Sequence, residues 1–175
     1  MNRPEKNEYA AYYSTYIKNV PDGDIASILE RQIDETIQDL EGLGEERAMQ
    51  RYAPGKWTIK EVVGHLIDAE RMFAYRALCF SRNEKKHLPS FEQNNYVENA
   101  NFKDRSLQDL LEEFRLLRSS NVALFRSFSD EMMMRTGMAS GFKFTVRAIA
   151  HVIAGHELHH RNVIKERYLQ SFSRT

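Results

Sequence analysis

The chain has 175 residues, and its 25 lysines and arginines balance 25 aspartates and glutamates, so that no large field of one sign favours a nucleic-acid backbone or an anionic membrane as partner. Its single cysteine, Cys79, excludes an internal disulfide framework and a cysteine-rich zinc site, and it suits a reducing cytoplasm. Because no apolar stretch reaches the length of a signal core or a membrane span, we expect one soluble, cytoplasmic domain.

The first 23 residues carry four tyrosines, and we expect them to lay an irregular arm, residues 1–23, against the body of the protein. A partly ordered tail is the alternative. A first helix is predicted over residues 24–43, because the side chain of Asp24 can cap its free N–H groups. Its apolar residues recur at helical spacing, at Ile25, Ile28, Leu29, Ile33, Ile37 and Leu40.

A second helix, residues 58–82, is predicted after a capping box that runs from Thr58 to Glu61. His65 lies on its apolar face, where a single histidine is more often a core residue than a metal ligand. Residues 83–105 then form a long connection. A connection of this length can cross from one end of a domain to the other, so that the second and third helices run parallel, and it can also cover one end of the bundle.

The remaining helices are predicted over residues 106–128 and 145–168, the last one capped by Thr145. Between them, residues 137–141 are interpreted as a flexible turn, and no strand alternation of useful length is present. The sequence therefore predicts an all-α fold, a single four-helix bundle over residues 24–170 with one long crossover between helices 2 and 3.

The strongest chemical signal lies in the last helix, where the residues from His156 to His160 contain the pattern H-E-x-x-H. These two histidines are four residues apart, so their side chains stack on one face of a helix, as in zinc motifs with the same spacing. A histidine pair of this kind is more often structural than metal-binding. This pair shares its face with aliphatic residues, however, and imidazoles buried there cost free energy unless their nitrogens find partners such as a metal ion.

Inward side chains of two helices can meet around one ion in the narrow core of a four-helix bundle, and we expect His65, His156 and His160 to do so. Three neutral imidazoles are a ligand set of catalytic zinc, which keeps a position open for water or substrate. Nickel, cobalt or manganese would fit the same ligands.

Other candidate site residues rest on position alone. Asp68 and Glu157 are predicted as hydrogen-bond partners of the ligands or as proton acceptors, although each is equally well explained as a solvated helix residue. The substrate pocket is predicted at Trp57, Arg76 and Phe91, from their positions along the bundle.

Three stretches of the sequence resemble the DinB/YfiT-like superfamily. Residues 57–66 read W-T-I-K-E-V-V-G-H-L, residues 155–160 read G-H-E-L-H-H, and residues 96–102 read Y-V-E-N-A-N-F. The resemblance implies a four-helix bundle with up-down-down-up topology. It also implies a divalent metal, zinc or nickel, held by three histidines, which correspond by motif position to the same three histidines that the spacing selects.

The resemblance leaves the reaction open. Members of the superfamily include metal-dependent transferases that use a low-molecular-weight thiol (bacillithiol, mycothiol or glutathione), a maleylpyruvate isomerase, and proteins described as metal-dependent hydrolases. We expect a thiol-dependent S-transferase that acts on a small electrophile. The alternatives are a hydrolase that uses metal-activated water, a metal- or ligand-binding bundle without turnover, and a structural bundle with incidental histidines. The resemblance also implies a homodimer that forms through helix faces.

Overall fold

The computed structural model describes residues 3–169, which are mostly helical. Two 3₁₀ turns at Lys6–Glu8 and Ala11–Tyr13 precede the first α-helix, and α8 continues as a π-helical segment at Ile164–Leu169. The α-helices of this part of the chain are α1 (Ser14–Ile17), α2 (Ile25–Leu40), α3 (Glu45–Ala48), α4 (Ile59–Ser81), α5 (Gln93–Glu98), α6 (Leu107–Arg126), α7 (Asp130–Met134) and α8 (Val146–Val163). None of the helices in residues 3–169 is long and apolar enough to cross a membrane.

Each of the four long helices begins where a polar side chain accepts a hydrogen bond from the backbone N–H three residues further on. The capping residues are Asp24, Thr58, Ser106 and Thr145. At α4 the cap is reciprocal, since the Glu61 carboxylate also accepts from the Thr58 N–H. These caps satisfy N–H groups that have no partner within a helix, and they set the start of each helix.

The four long helices form a bundle in which α2 and α4 each pack against both α6 and α8. Its topology is up-down-down-up, so α4 and α6 run in the same direction and the connection between them crosses the length of the bundle. The predicted four-helix bundle with one long crossover is confirmed. The crossover contains a short helix that the sequence analysis did not predict, α5, whose start is capped by the Glu92 carboxylate.

The sequence prediction missed a short β-hairpin. Strands β1 (Thr136–Ala139) and β2 (Phe142–Thr145) pair antiparallel, and the turn between them consists of Ser140 and Gly141, both with positive φ. This turn type matches the twist of the flanking strands. Strands of four residues are too short to give a clear alternation of apolar and polar residues, so the sequence pattern does not reveal them.

The core of the bundle has two apolar halves separated by a polar layer. One half includes Leu29 on α2 and Phe80 on α4, and the other includes Leu40 on α2 and Phe114 on α6. The layer between them is built from side chains of all four long helices, which are Gln32, Thr36, Glu70, Arg118, Asn121 and Glu157.

The residues that precede α2 pack closely against the bundle. Tyr13 is buried in the apolar core, and α1 lies against α8. Glu8 fixes the start of this segment, because its carboxylate accepts a hydrogen bond of 2.7 Å from the Thr145 hydroxyl and pairs with the Arg147 guanidinium. We call residues 3–23 the arm. It brings aromatic side chains to the face of α8 that carries the histidines.

Candidate metal centre

Three histidines meet where α4 and α8 face each other. The Nε2 atoms of His65 and His156 are 3.1 Å apart, and ring nitrogens of His65, His156 and His160 all lie within 4.8 Å of one another. His65 and His156 are buried, and His160 is partly exposed. The structure therefore brings together the three residues that the spacing of the sequence selects.

A glycine precedes a histidine of the cluster on each helix, and in both places it allows another segment to come close. A Cβ atom added at Gly64 would lie 2.4 Å from the ring of Phe102, which belongs to the crossover. A Cβ atom added at Gly155 would lie 2.5 Å from the backbone carbonyl of Tyr16 in the arm. Both approaches are too close for any residue with a side chain, so the two glycines let the crossover and the arm close over the histidines.

The histidines are held in their neutral form. Burial lowers the pKa of His65 to about 4, and burial together with His65 and His159 lowers the pKa of His160 to about 3. Burial and the neighbouring histidines also hold the pKa of His156 well below its usual value. Near pH 7 all three imidazoles therefore present an unprotonated nitrogen, which is the form that binds a metal ion.

The arrangement of these nitrogens suits a divalent metal. In a tetrahedral zinc site with Zn–N distances of about 2.0–2.1 Å, two ligand nitrogens are separated by about 3.3 Å. The 3.1 Å between the Nε2 atoms of His65 and His156 is close to that value. Two neutral imidazoles can share only one hydrogen bond at such a contact, whereas a metal ion would satisfy both nitrogens and the third histidine as well.

The structure does not bring Glu157 into the cluster. Its Oε1 atom accepts a hydrogen bond of 2.7 Å from the Thr36 hydroxyl, and its Oε2 atom lies 2.8 Å from Nη2 of Arg118. Glu157 is thus a member of the polar layer, on a side of α8 different from that of His156. Its predicted role as a proton acceptor finds no support in this geometry.

Asp68 also lies outside the cluster. It is partly exposed, and burial raises its pKa above the usual value. Glu113 raises this pKa further, and the nearby Arg71 lowers it. Its electrostatic neighbours therefore belong to the surface of α4 and α6, and no histidine of the cluster is among them. Its predicted role stays a prediction.

Cavities flank the histidines on two sides. The first has a volume of about 280 Å³ and is lined by His160, together with Tyr52, Trp57 and Tyr168. The second has a volume of about 300 Å³, and its walls include His65, His156, Tyr16, Phe73, Arg76 and Phe91. Of the predicted pocket residues, Arg76 and Phe91 therefore lie in one cavity and Trp57 in the other, where its ring centroid is 4.8 Å from that of His65.

Residues 28–164 match the family model of the DinB superfamily. The chain belongs to the DinB superfamily. Among solved structures, YfiT from Bacillus subtilis, described as a probable metal-dependent hydrolase with an unusual four-helix bundle topology, is similar with a TM-score of 0.74 and 20% sequence identity. The alignment covers 84% of this chain and 85% of YfiT, and it shows a shared fold. No curated protein matches the sequence.

The match to the DinB superfamily begins at Ile28, so it leaves out the arm, although the arm supplies walls of the second cavity. The ring of Tyr16 lies 5.6 Å from that of His156 and 5.2 Å from that of His159. Tyr12 and Tyr13 line the same cavity. The sequence carried a signal for this placement, because its four N-terminal tyrosines are spaced as on one face of a helix, at Tyr9, Tyr12, Tyr13 and Tyr16.

Proposed function

We propose that His65, His156 and His160 hold one divalent transition metal, zinc or nickel, and that the protein is a metal-dependent transferase which directs a small thiol onto an electrophile. The observation that carries this proposal is the convergence of three neutral imidazoles between two cavities. The donor set supports it as well, because imidazole nitrogens suit both metals and three protein ligands leave a position for a reactant.

A divalent metal bound by these histidines would lower the pKa of a thiol or of water and so supply a nucleophile near pH 7. The chain provides the surroundings. Trp57 on one side and Tyr16 on the other place aromatic rings against the histidines and limit the access of water. Separate cavities on the two sides of the cluster suit a reaction with two substrates, because each can hold one reactant next to the same centre.

The position of Glu157 favours a thiol over water as the nucleophile. In hydrolases with the H-E-x-x-H pattern, the glutamate acts as general base toward the attacking water. Here the Glu157 carboxylate is held by Thr36 and Arg118, and no carboxylate joins the three histidines within residues 3–169. A thiol that has already lost its proton attacks without a general base, so this site lacks nothing that thiol transfer requires.

A metal-dependent hydrolase is the second candidate. It is favoured by the description of YfiT, with which this chain shares its fold. In that case Asp68, one turn from His65 on α4, is the candidate proton acceptor, and burial raises its pKa. The two candidates differ in whether sulfur or oxygen binds at the open position.

The first test is metal content, measured by plasma mass spectrometry on tag-free protein after incubation with zinc and with nickel. We expect about one equivalent of metal in the parent and its loss in His65→Ala and His156→Ala. His159→Ala is the matched control and should retain the metal, because His159 is exposed beside the cluster but does not belong to it. A parent protein that takes up neither metal would overturn the proposal.

The second test asks which atom binds at the open position. In cobalt-substituted protein, a thiol should produce a sulfur-to-cobalt charge-transfer band, and thiol-dependent turnover of a small electrophile should follow. A metal-loaded protein that shows no band with thiols but hydrolyses amides would replace the transferase with the hydrolase.

A further inference from the structure

The second cavity contains a buried cation without a counter-ion. Arg76 on α4 is only 3% exposed. Its Nη2 atom donates to the Pro89 carbonyl at 2.7 Å and to the Ser140 hydroxyl at 3.0 Å, both of which are neutral acceptors. Its Nε atom is buried and has no acceptor, and within residues 3–169 no aspartate or glutamate forms an ion pair with this guanidinium.

Burying the Arg76 charge in this way costs free energy unless a further group pairs with it. Arginine does not lose its proton in proteins, so Arg76 keeps its charge inside the cavity. The rings of Phe73 and Phe91, with centroids 5.7 Å and 5.9 Å from Cζ, offset part of the cost through cation–π attraction. An unpaired charge and an unsatisfied N–H remain, and an anionic group in the cavity would neutralise the first and accept from the second.

The shape of the cavity indicates what carries that anionic group. Its floor follows one face of α4 through His65, Ala69, Phe73 and Arg76, which are spaced by four, four and three residues. Eleven residues separate the first from the last, which corresponds to about 16 Å along the helix axis. A ligand that reaches from the histidines to Arg76 therefore passes over the apolar side chains of Ala69 and Phe73.

The charge at the Arg76 end of the cavity suits a group with a single negative charge. Among residues 3–169, Arg76 is the one lysine or arginine that lines the cavity, and Glu92 lies in the same wall with its carboxylate held by Asn94 and Asn95. A dianion such as a phosphate monoester would leave excess negative charge beside Glu92, whereas a carboxylate matches the single cation.

We propose that the second cavity binds a small monocarboxylate, with the carboxylate on Arg76, an apolar segment over Ala69 and Phe73, and the reacting end at His65 and His156. The assignment of the reacting end rests on the proposed function, and the carboxylate site itself does not. The carboxylate belongs either to the electrophile or to the thiol. In both cases the ligand is an acid with an apolar spacer between its charge and its reactive group.

Calorimetric titration with two probes tests the carboxylate site. The probes are 4-phenylbutyrate and its uncharged amide, 4-phenylbutyramide, each added to zinc-loaded and to chelator-treated protein. We expect the parent to bind the acid at least about tenfold more tightly than the amide in both forms, and Arg76→Met to lose this preference. Lys56→Met removes a cation from the first cavity instead, and it should retain the parent preference.

The outcomes separate the two proposals. If the parent binds no metal but still prefers the acid, and Arg76→Met loses this preference, the proposed function is overturned and the carboxylate site is supported. A preference for the acid that appears only with zinc and survives in Arg76→Met would show that the metal holds the acid, and it would overturn the site. Equal binding of both probes by the parent would overturn it too. If Arg76→Met does not fold, Arg76→Gln removes the charge but keeps a donor for the Pro89 carbonyl.

The source of the carboxylate is distinguished by competition. If the thiol carries it, 3-mercaptopropionate should displace 4-phenylbutyrate from the zinc-loaded parent more strongly than propionate does, and it should bind more weakly to zinc-loaded Arg76→Met. If the electrophile carries it, an uncharged thiol such as 2-mercaptoethanol should bind zinc-loaded protein together with 4-phenylbutyrate. Either result supports the carboxylate site, and failure of 4-phenylbutyrate itself to bind overturns it.

Discussion

Two buried arginines of this bundle have opposite surroundings. Arg118 is 1% exposed and donates to both carboxylate oxygens of Glu70, at 2.8 Å and 2.6 Å, and to the Leu29 carbonyl at 2.8 Å. The Glu157 carboxylate completes its surroundings. Arg76 is also buried, at 3% exposed, but among residues 3–169 it contacts neutral acceptors and aromatic rings instead of carboxylates.

The difference separates a structural charge from a charge that is available to a ligand. Arg118 and its partners connect all four long helices, since Leu29 lies on α2, Glu70 on α4 and Glu157 on α8. Such a layer fixes the register of the helices, because a shift of any one of them would leave a buried charge unpaired. Within residues 3–169 Arg76 has no such network, and it lines a cavity, so a ligand can supply the missing negative charge.

The largest expected effect comes from breaking the complete network. Arg118→Met should lower the free energy of unfolding by about 3–5 kcal/mol, because it leaves the buried carboxylates of Glu70 and Glu157 without their cation. Urea unfolding followed by circular dichroism measures this change. Glu30→Gln breaks an exposed pair with Arg126 and should cost less than about 1 kcal/mol. If both variants lose the same amount, the polar layer does not have the structural role described here.

An intermediate effect on stability is expected from protonation of the histidines, which stay neutral near pH 7 and so place no charge in the core. The pKa of His65 falls from 6.5 to about 4 on burial, so the folded state binds fewer protons than the unfolded state between these values. In metal-free protein, stability should therefore decrease as the pH falls from about 6.5 to about 4, by up to about 3 kcal/mol from His65 alone. His65→Leu should flatten this part of the curve measured by urea unfolding, and parallel curves for parent and variant would contradict the assignment.

The smallest effect on stability is expected at Arg76, which pairs with no carboxylate within residues 3–169. Arg76→Met should change the free energy of unfolding by less than about 1 kcal/mol, because no carboxylate is left without a partner and the cost of burying the charge disappears. Urea unfolding in the absence of ligands tests this. A loss similar to that of Arg118→Met would mean that Arg76 holds the crossover and the hairpin together, and the contrast between the two arginines would fail.

The bundle and the histidine cluster were predictable because their signals are local. The caps lie three residues from their partners, and the spacing of His156 and His160 fixes a common helix face. The choice of His65 needed only the assumption that two apolar faces meet. These are statements about periodicity within a helix, which the sequence records directly.

The role of Glu157 was not predictable in the same way. Its neighbour in sequence is a histidine of the cluster, but its partners Thr36 and Arg118 are on two other helices. Only the register of the helices decides which charges meet across the core, and no local pattern records that register. The predicted pocket residues fall in two cavities because Trp57 lies just before the start of α4 and Arg76 lies far along it.

The arm gives the second cavity a composite origin. The bundle supplies the histidines and Arg76, while Tyr12, Tyr13 and Tyr16 come from a segment that lies before the superfamily match. Exchange of this short segment, by evolution or by engineering, would therefore change the wall of the cavity while the histidines and the bundle stay the same. If the proposed function holds, the choice of substrate and the metal centre are encoded in separate parts of the chain.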